Sequence, residues 1–99
     1  MYIYNVTVSI DKDLAKEWHQ WMKSIHIPMV MKTGYFKEYK MCKVLNVDDE
    51  GETYSTQYVF ENMSDIESYM ANEAPRLQAD MKALYDGKYV AFRTLLQIV

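Results

Sequence analysis

The stretch LAKEWHQWMKSIHIPMVMKTG, residues 14–34, holds both tryptophans, both histidines and one of the two prolines of the chain. Large apolar side chains recur in it every three or four residues, at Leu14, Trp18, Trp21, Met22 and Ile25. This spacing places them on one face of an α-helix that packs against the core. Because the residue before a proline disfavours α-helical geometry, Pro28 predicts that the helix ends near Ile27.

Strand patterns lie on both sides of this helix. Residues 2–10 alternate in polarity, and their apolar face carries Tyr2, Tyr4, Val6, Val8 and Ile10. Residues 29–34 are compatible with one or two further helical turns that end at Gly34. Two more strands are predicted over residues 35–47 and 53–60, joined by an acidic turn at 48–52, and a last strand is predicted over 89–99.

A second helix is predicted between the third and fourth strands. Ser64 and Glu67 match a capping box, so the helix is expected to begin there. Pro75 predicts a kink or a fresh start at 72–75, and Gly87 ends the helix. The apolar face of the two segments carries Ile66, Tyr69, Met70, Leu77, Met81, Leu84 and Tyr85.

The element order β-α-β-β-α-β predicts an α+β, ferredoxin-like fold in a single domain over residues 1–99. Right-handed crossovers place both helices on one face of a four-stranded antiparallel sheet with strand order 4-1-3-2. In the last strand we expect Phe92, Leu96 and Ile98 to face the helices, and Arg93 and Leu95 to face away. The uncovered sheet face is then half apolar, which favours a homodimer with the two sheets packed face to face as a dimeric α/β barrel.

Composition argues against several classes of function. The formal net charge is −3, which disfavours nucleic-acid binding. We expect no membrane span and no secretory signal, because the apolar runs are short and the first residues read as a strand. The single cysteine, Cys42, indicates a reducing compartment, so a cytoplasmic location is expected. His19, His26 and Cys42 lack the paired spacing of a metal site, and we expect neither a metal nor a cofactor.

Several segments resemble a family of short bacterial proteins catalogued as a domain of unknown function. The resemblance covers nearly the whole chain, and its more specific parts are WHQWM at residues 18–22, HIP at 26–28 and APRL at 74–77. It implies a ferredoxin-like fold and a cytoplasmic setting, and it implies no reaction. In architecture alone the chain is similar to the dimeric α/β-barrel superfamily, which includes cofactor-independent monooxygenases, haem-degrading enzymes, isomerases and ligand-sensing domains. Such breadth leaves the function open.

A candidate ligand pocket is predicted between the first helix and the sheet. Its residues are Trp18, Met22, His26, Tyr58, Tyr69 and Arg93. A histidine can act as acid, base or ligand near neutral pH, but at a helix C-terminus it can instead serve as a cap. Arg93 either pairs with a carboxylate such as Glu38, across the sheet or across the dimer, or binds an anionic ligand.

Two functions fit these features. The first is a homodimeric module that binds a small hydrophobic molecule or another partner. The alternative is a cofactor-independent enzyme, similar to a monooxygenase or an isomerase, that acts on a small hydrophobic or aromatic substrate. In the enzyme, His26 would be the acid or base, and Arg93 or Tyr58 would be the polar anchor. A perturbed pKa of His26 beside a cavity would favour the enzyme, whereas a packed or solvated His26 without a cavity would favour the binding module.

Overall fold

The computed structural model describes residues 1–45, 47 and 50–99. Its strands are Tyr2–Asp11 (β1), Glu38–Lys43 (β2), Gly51–Phe60 (β3) and Tyr89–Gln97 (β4). Its helices are Lys12–Trp21 (α1), Ile27–Lys32 (α2), Met63–Asn72 (α3) and Ala74–Tyr85 (α4), and a π-helical segment, Met22–His26, joins α1 to α2. Part of the predicted acidic turn, Asp48 and Asp49, lies outside the described residues.

The four strands form one antiparallel sheet in the order β2-β3-β1-β4. This is the predicted order, and it confirms the ferredoxin-like fold class. Buried residues from the helices, such as Trp18 and Leu77, pack against Tyr4 and Tyr58 of the central strands. We call the sheet face under the helices the inner face and the opposite one the outer face.

Aromatic rings dominate the core at one end of the sheet. The ring centroid of Phe36 lies 4.9 Å from that of Tyr69 and 5.2 Å from that of Tyr58. The ring of Tyr4 lies 5.8 Å from Tyr69. Such pairs contribute about 0.5–1.5 kcal/mol each beyond the burial of their area. Because they join β1, β3 and α3 through the connection before β2, they fix the helices to the sheet.

The first helix does not end near Ile27, so that prediction is wrong. The backbone N–H of Ile27 donates to the carbonyl oxygen of Met22, five residues back, which widens the helix into a π turn. Pro28 has no N–H and sits in the first turn of α2, where none is needed. The prediction of further turns up to Gly34 is correct, since Gly34 has φ +86° directly after the last turn.

The π turn inserts one residue and so changes which side chains face the core. Met22 is followed on the buried side by Ile27 and Val30, each 1% exposed. Ile25, which a regular α-helix would place on that face, is 49% exposed. The predicted core position of Ile25 is therefore wrong, because the predicted face assumed 3.6 residues per turn throughout.

The side chains of β4 point in the direction opposite to the prediction. Arg93 is paired with Val6, and Phe92 with Thr7. Residues directly opposite in neighbouring strands share a sheet face, so Arg93 lies on the inner face and Phe92 on the outer face. Phe92 is 63% exposed in the single chain. Apolar residues occur on both faces of this strand, so its sequence pattern does not determine which face points toward the helices.

The two helices between β3 and β4 divide where Pro75 predicted a break. Asn72 ends α3, and α4 begins at Ala74 with Pro75 in its first turn. The capping box, however, is formed by Asn62 and Asp65 instead of Ser64 and Glu67. The backbone N–H of Asn62 donates to Oδ2 of Asp65 over 3.1 Å. The helix thus begins two residues earlier than predicted, because an asparagine is also a strong N-cap.

Candidate functional site

A cavity of about 40 Å³ lies between the inner face of the sheet and the helices. Across the sheet, Thr56, Val6 and Arg93 stand side by side, because Val6 is paired with both neighbours. Aliphatic and methionine side chains line much of the space: Val6, Val8, Met22, Val30, Leu77 and Met81. Polar side chains complete it: Tyr4, His26, Thr56, Tyr58, Tyr69, Gln78, Tyr89 and Arg93.

An open groove of about 400 Å³ lies outside this cavity, between α4 and β4. Gln78, Tyr89 and Arg93 line both spaces. They therefore form the boundary between the enclosed cavity and the groove. A ligand that enters from the groove meets these three side chains first.

The structure brings most of the predicted pocket residues together. Met22, His26, Tyr58, Tyr69 and Arg93 all line the cavity. Trp18 does not line it. Its side chain is 0% exposed and packs on Tyr54, with ring centroids 5.3 Å apart. Trp18 is thus a core residue, and a role in ligand binding stays a prediction for the other five.

His26 owes its position to the π turn at the end of the first helix. Its imidazole stacks on Trp21, with centroids 5.0 Å apart and an interplanar angle of 27°. Burial lowers the pKa of His26 to about 4; the carboxylate of Asp80 opposes this shift and the guanidinium of Arg93 adds to it. At neutral pH the ring is uncharged, so it can accept a proton or a hydrogen bond from a molecule in the cavity.

Three tyrosine hydroxyl groups also reach this region. Burial raises the pKa of Tyr58 and of Tyr69 well above the usual phenol value, and it raises the pKa of Tyr4 as well. The nearby side chains of Arg93 and Gln78 favour the ionised form of Tyr4 and so oppose the rise of its pKa. These phenols stay protonated at physiological pH and can donate hydrogen bonds.

Arg93 does not form the predicted pair with Glu38. Glu38 belongs to β2, at the opposite edge of the sheet, and it is paired with Val59 on the outer face. Within the described part of the chain, no carboxylate oxygen lies within 4.0 Å of the Arg93 guanidinium nitrogens. Among those residues the guanidinium has no ion-pair partner, and the side chain is exposed to solvent where it lines the cavity.

Sequence reasoning gave no role in ligand binding to four polar residues that line the cavity: Tyr4, Thr56, Gln78 and Tyr89. Tyr4 was assigned to the core face of β1, which is correct, but its hydroxyl group was given no role. Gln78 follows the buried Leu77. Its identification would have required knowing that this face of α4 lies over β4. Tyr89 was not singled out because the inner side of β4 was misassigned. A correct strand pairing would have found Tyr89 together with Arg93.

Two other features of the described residues bear on the site. No group of three or more His, Cys, Asp or Glu side chains among them is arranged to hold a metal ion. Within the same residues, no helix has both the length and the apolar character needed to cross a membrane.

The family model of the domain of unknown function DUF4286 matches residues 1–99. The chain belongs to this family. No curated protein matches the DUF4286 chain. The resemblance to a family of unknown function that its sequence motifs indicated is confirmed.

Solved structures share the fold of the DUF4286 domain. A dimeric ferredoxin-like protein from an uncultured marine organism has 7% identity and a TM-score of 0.70, with coverage of 100% of this chain and 95% of that one. SnoaB, a cofactor-independent oxygenase from Streptomyces nogalater, has 8% identity and a TM-score of 0.69, with coverage of 99% and 92%. A mutant of MhuD with two manganese protoporphyrin IX molecules bound per active site has 10% identity and a TM-score of 0.73, with coverage of 100% and 95%.

Proposed function

We propose that this DUF4286 protein is a homodimeric module that binds a small organic molecule between its helices and the inner face of the sheet. The observation that carries the proposal is the cavity lined by an apolar floor and by convergent polar groups, with the unpaired Arg93 at its boundary. Ligand sites commonly combine mostly apolar walls with a few placed polar groups.

The size of the cavity limits what it holds in this conformation. A volume of about 40 Å³ corresponds to roughly three water-sized groups. The adjoining groove of about 400 Å³ offers room for the rest of a larger molecule. We therefore propose that the ligand occupies both spaces, with its smaller part enclosed.

The outer face of the sheet supports the dimer. The centre of this face consists of polar side chains that form hydrogen bonds with one another. The hydroxyl of Ser55 donates to Oδ1 of Asn5 over 2.6 Å, and Nδ2 of Asn5 donates to the hydroxyl of Thr7 over 3.0 Å. Apolar side chains lie around this centre, at Ile3, Val59, Val90, Phe92 and Leu96. A face with satisfied polar groups and exposed apolar ones is suited to association with a second copy.

The solved structures add support of a general kind. One neighbour is dimeric, one is an oxygenase that needs no cofactor, and one binds porphyrin in its active site. Because their sequence identities are 7–10%, these structures support the fold alone. The ligand proposed for this chain is inferred from the residues of its own site. The proposal involves no cofactor.

A cavity-filling variant tests the binding function. Val6→Met adds volume at the centre of the cavity wall, and Val47→Met makes the same change at an exposed position. Small-molecule fragments are screened by ligand-observed NMR against the wild type and both variants. We expect a set of fragments that bind the wild type and Val47→Met but not Val6→Met. Equal binding to all three proteins would refute the proposed site.

An enzyme that acts by proton transfer is the second candidate, and His26 is the observation in its favour. A pKa of about 4 makes His26 a weak base, but its neutral imidazole on the cavity wall can receive a proton from an acidic group of a substrate held against it. The positive charge of Arg93 could then stabilise the negative charge that remains on the substrate. The test is incubation of each bound fragment in D₂O with the wild type or with His26→Gln, followed by mass spectrometry, because a carbon-bound proton that is removed and returned is replaced by deuterium. Deuterium incorporation that requires His26 would establish the enzyme, and unlabelled fragments would leave a binding module.

A further inference from the structure

We infer that the ligand of this site carries a carboxylate group, which the guanidinium of Arg93 binds at the boundary between the cavity and the groove, with a small apolar group enclosed in the cavity. This inference rests on the proposed small-molecule-binding function. It adds the chemical class of the ligand and the direction in which it enters.

The position of Arg93 is the first step. Together with Gln78 and Tyr89 it lines both the cavity and the groove, so an anion bound to it would sit in the passage between the two spaces. Arginine carries five N–H donors in a planar fork that matches the two oxygens of a carboxylate. The Tyr4 hydroxyl engages the side chain of Arg93. That phenol is a neutral partner and leaves the positive charge uncompensated.

The charge balance of the site is the second step. The residues that line the cavity and the groove include no Asp or Glu, while Lys82 adds a second cation on the groove side. Asp80 lies near His26, but it makes no ion pair with Arg93 in the described chain. The Arg93 side chain is exposed to solvent, so it needs no acidic partner for its own stability, and its guanidinium is open to an incoming anion. Because none of the described residues that line the two spaces is an acid, a ligand with an acid group would meet no competitor there.

The remaining polar groups fit an oxyanion. Gln78 at the boundary and the protonated phenols of Tyr4 and Tyr69 can all donate hydrogen bonds. The neutral His26 lies on the cavity wall, and its ring can donate one hydrogen bond. Hydrogen bonds to a charged acceptor are roughly twice as strong as those between neutral groups. A carboxylate would therefore form stronger hydrogen bonds with these donors than a neutral ligand would.

The floor of the cavity defines the other end of the ligand. Val8, Val30, Leu77 and Met81 present only apolar atoms to it. The enclosed volume of about 40 Å³ suits a branched group of about three carbon atoms. The simplest molecules that combine a carboxylate with a small branched apolar group are short branched-chain carboxylic acids.

A matched pair of probes tests the inference. Isovalerate and isovaleramide have nearly the same shape, but only the acid is charged at pH 7. Their dissociation constants are measured by ¹H–¹⁵N NMR titration of the wild-type protein at constant ionic strength. We expect isovalerate to bind at least about tenfold more tightly than the amide, since a hydrogen-bonded charge discriminates strongly against a neutral analogue. The largest shifts should fall on residues 78, 89 and 93.

Three variants test whether the preference for the acid depends on Arg93. Arg93→Gln should remove the preference for the acid, so that acid and amide bind equally weakly. Arg76→Gln makes the same charge change on the exposed face of α4, where Arg76 pairs with Glu73, and it should keep the preference. Arg93→Lys retains the charge without the fork and should give an intermediate preference. Thermal unfolding of each variant without ligand checks that it is folded.

The outcomes separate this inference from the function on which it rests. If isovaleramide binds in the cavity as tightly as isovalerate, the anion inference is wrong and the binding function stands. If the preference for the acid survives in Arg93→Gln, the assignment to Arg93 is wrong. If neither probe binds and the wider fragment screen also finds nothing at the cavity, the binding function itself fails.

Discussion

The indole of Trp21 stacks on the imidazole of His26 with centroids 5.0 Å apart, and the edge of the same indole meets Tyr85 at 5.7 Å. His26 is thereby held between an aromatic ring on one side and the cavity on the other. The contact joins the first helix to α4. It restricts the rotation of the imidazole and removes one of its faces from water, which contributes to the burial that lowers its pKa.

The stability of the protein should depend on His26 in mildly acidic solution. The pKa of His26 is about 4 in the folded chain and 6.5 in the unfolded chain. Between these pH values the unfolded chain binds a proton that the folded chain does not, so the free energy of unfolding falls as the pH falls. Above pH 6.5 the ring is neutral in both states and has no such effect. Below pH 4 the loss reaches about 3 kcal/mol at most.

Urea unfolding between pH 4 and pH 7.5 measures this dependence in the wild type and in His26→Gln. The variant should lose less stability than the wild type over the window, because it has no group at position 26 to protonate. His19→Gln changes the other histidine, which stacks on Tyr54 instead, and should keep the wild-type slope. Parallel curves for the wild type and His26→Gln would contradict the prediction.

Phe92→Glu should separate the proposed dimer. Phe92 is exposed on the outer face of the single chain and would be buried in the proposed dimer interface. An unpaired carboxylate buried there would cost several kcal/mol of association free energy. We expect a dimer for the wild type and a folded monomer for the variant, measured by light scattering and sedimentation at micromolar concentration. Leu84→Glu, at an exposed position of α4, should remain dimeric. A wild type that is strictly monomeric would rule out the dimer.

Gly51→Ala should destabilise the sheet even though the backbone of Gly51 has an ordinary φ. A Cβ atom at this position would lie 2.5 Å from the carbonyl oxygen of Ile10, so β1 and β3 would have to shift apart. We expect a loss of about 1–3 kcal/mol in the free energy of unfolding, as for other overpacked sites. The neighbouring exposed residue provides the control: Glu50→Ala should change stability by less than about 0.5 kcal/mol. An unaffected Gly51→Ala protein would show that the strands adjust at little cost.

Trp18→Phe should be far better tolerated than Trp18→Ala. Trp18 is fully buried, and its Nε1–H has no hydrogen-bond partner among the described residues. Removal of the whole ring should cost about 3–5 kcal/mol. Phenylalanine retains much of the apolar contact and removes an unsatisfied donor, so its cost should be about 1.5 kcal/mol or less. Equal losses in urea unfolding would indicate that the indole N–H has a partner such as a buried water.

The fold was predictable because each element has a clear local signal. The alternation of residues 2–10, the acidic turn and the two amphipathic helices lead to the observed order of strands. The orientation of β4 was not predictable, because both of its faces carry apolar residues and the choice depends on pairing with Val6 and Thr7. A dimer interface on the outer face would explain why the more apolar set points away from the helices.

The candidate site was predicted in part for the same reason. Met22 follows the helix pattern and lines the cavity; His26 also lines it, although the π turn ends the regular pattern after Met22. The sequence predicts Arg93 both in the pocket and on the sheet face away from the helices; the pairing with Val6 puts it on the inner face, where it lines the cavity with His26. Trp18 lies on the predicted helical face, but its ring packs against Tyr54 in the core and does not reach the cavity.

The π turn at Met22–His26 has a consequence for comparing this chain with other proteins. A relative whose first helix is a regular α-helix would need one residue fewer between the positions of Met22 and Ile27 to keep both in the core. Sequences aligned without a gap there would match His26 with a residue of a different helical face. A gap inside this helix, which alignment methods penalise heavily, would be the correct choice, and conservation at position 26 is meaningful only after it is introduced.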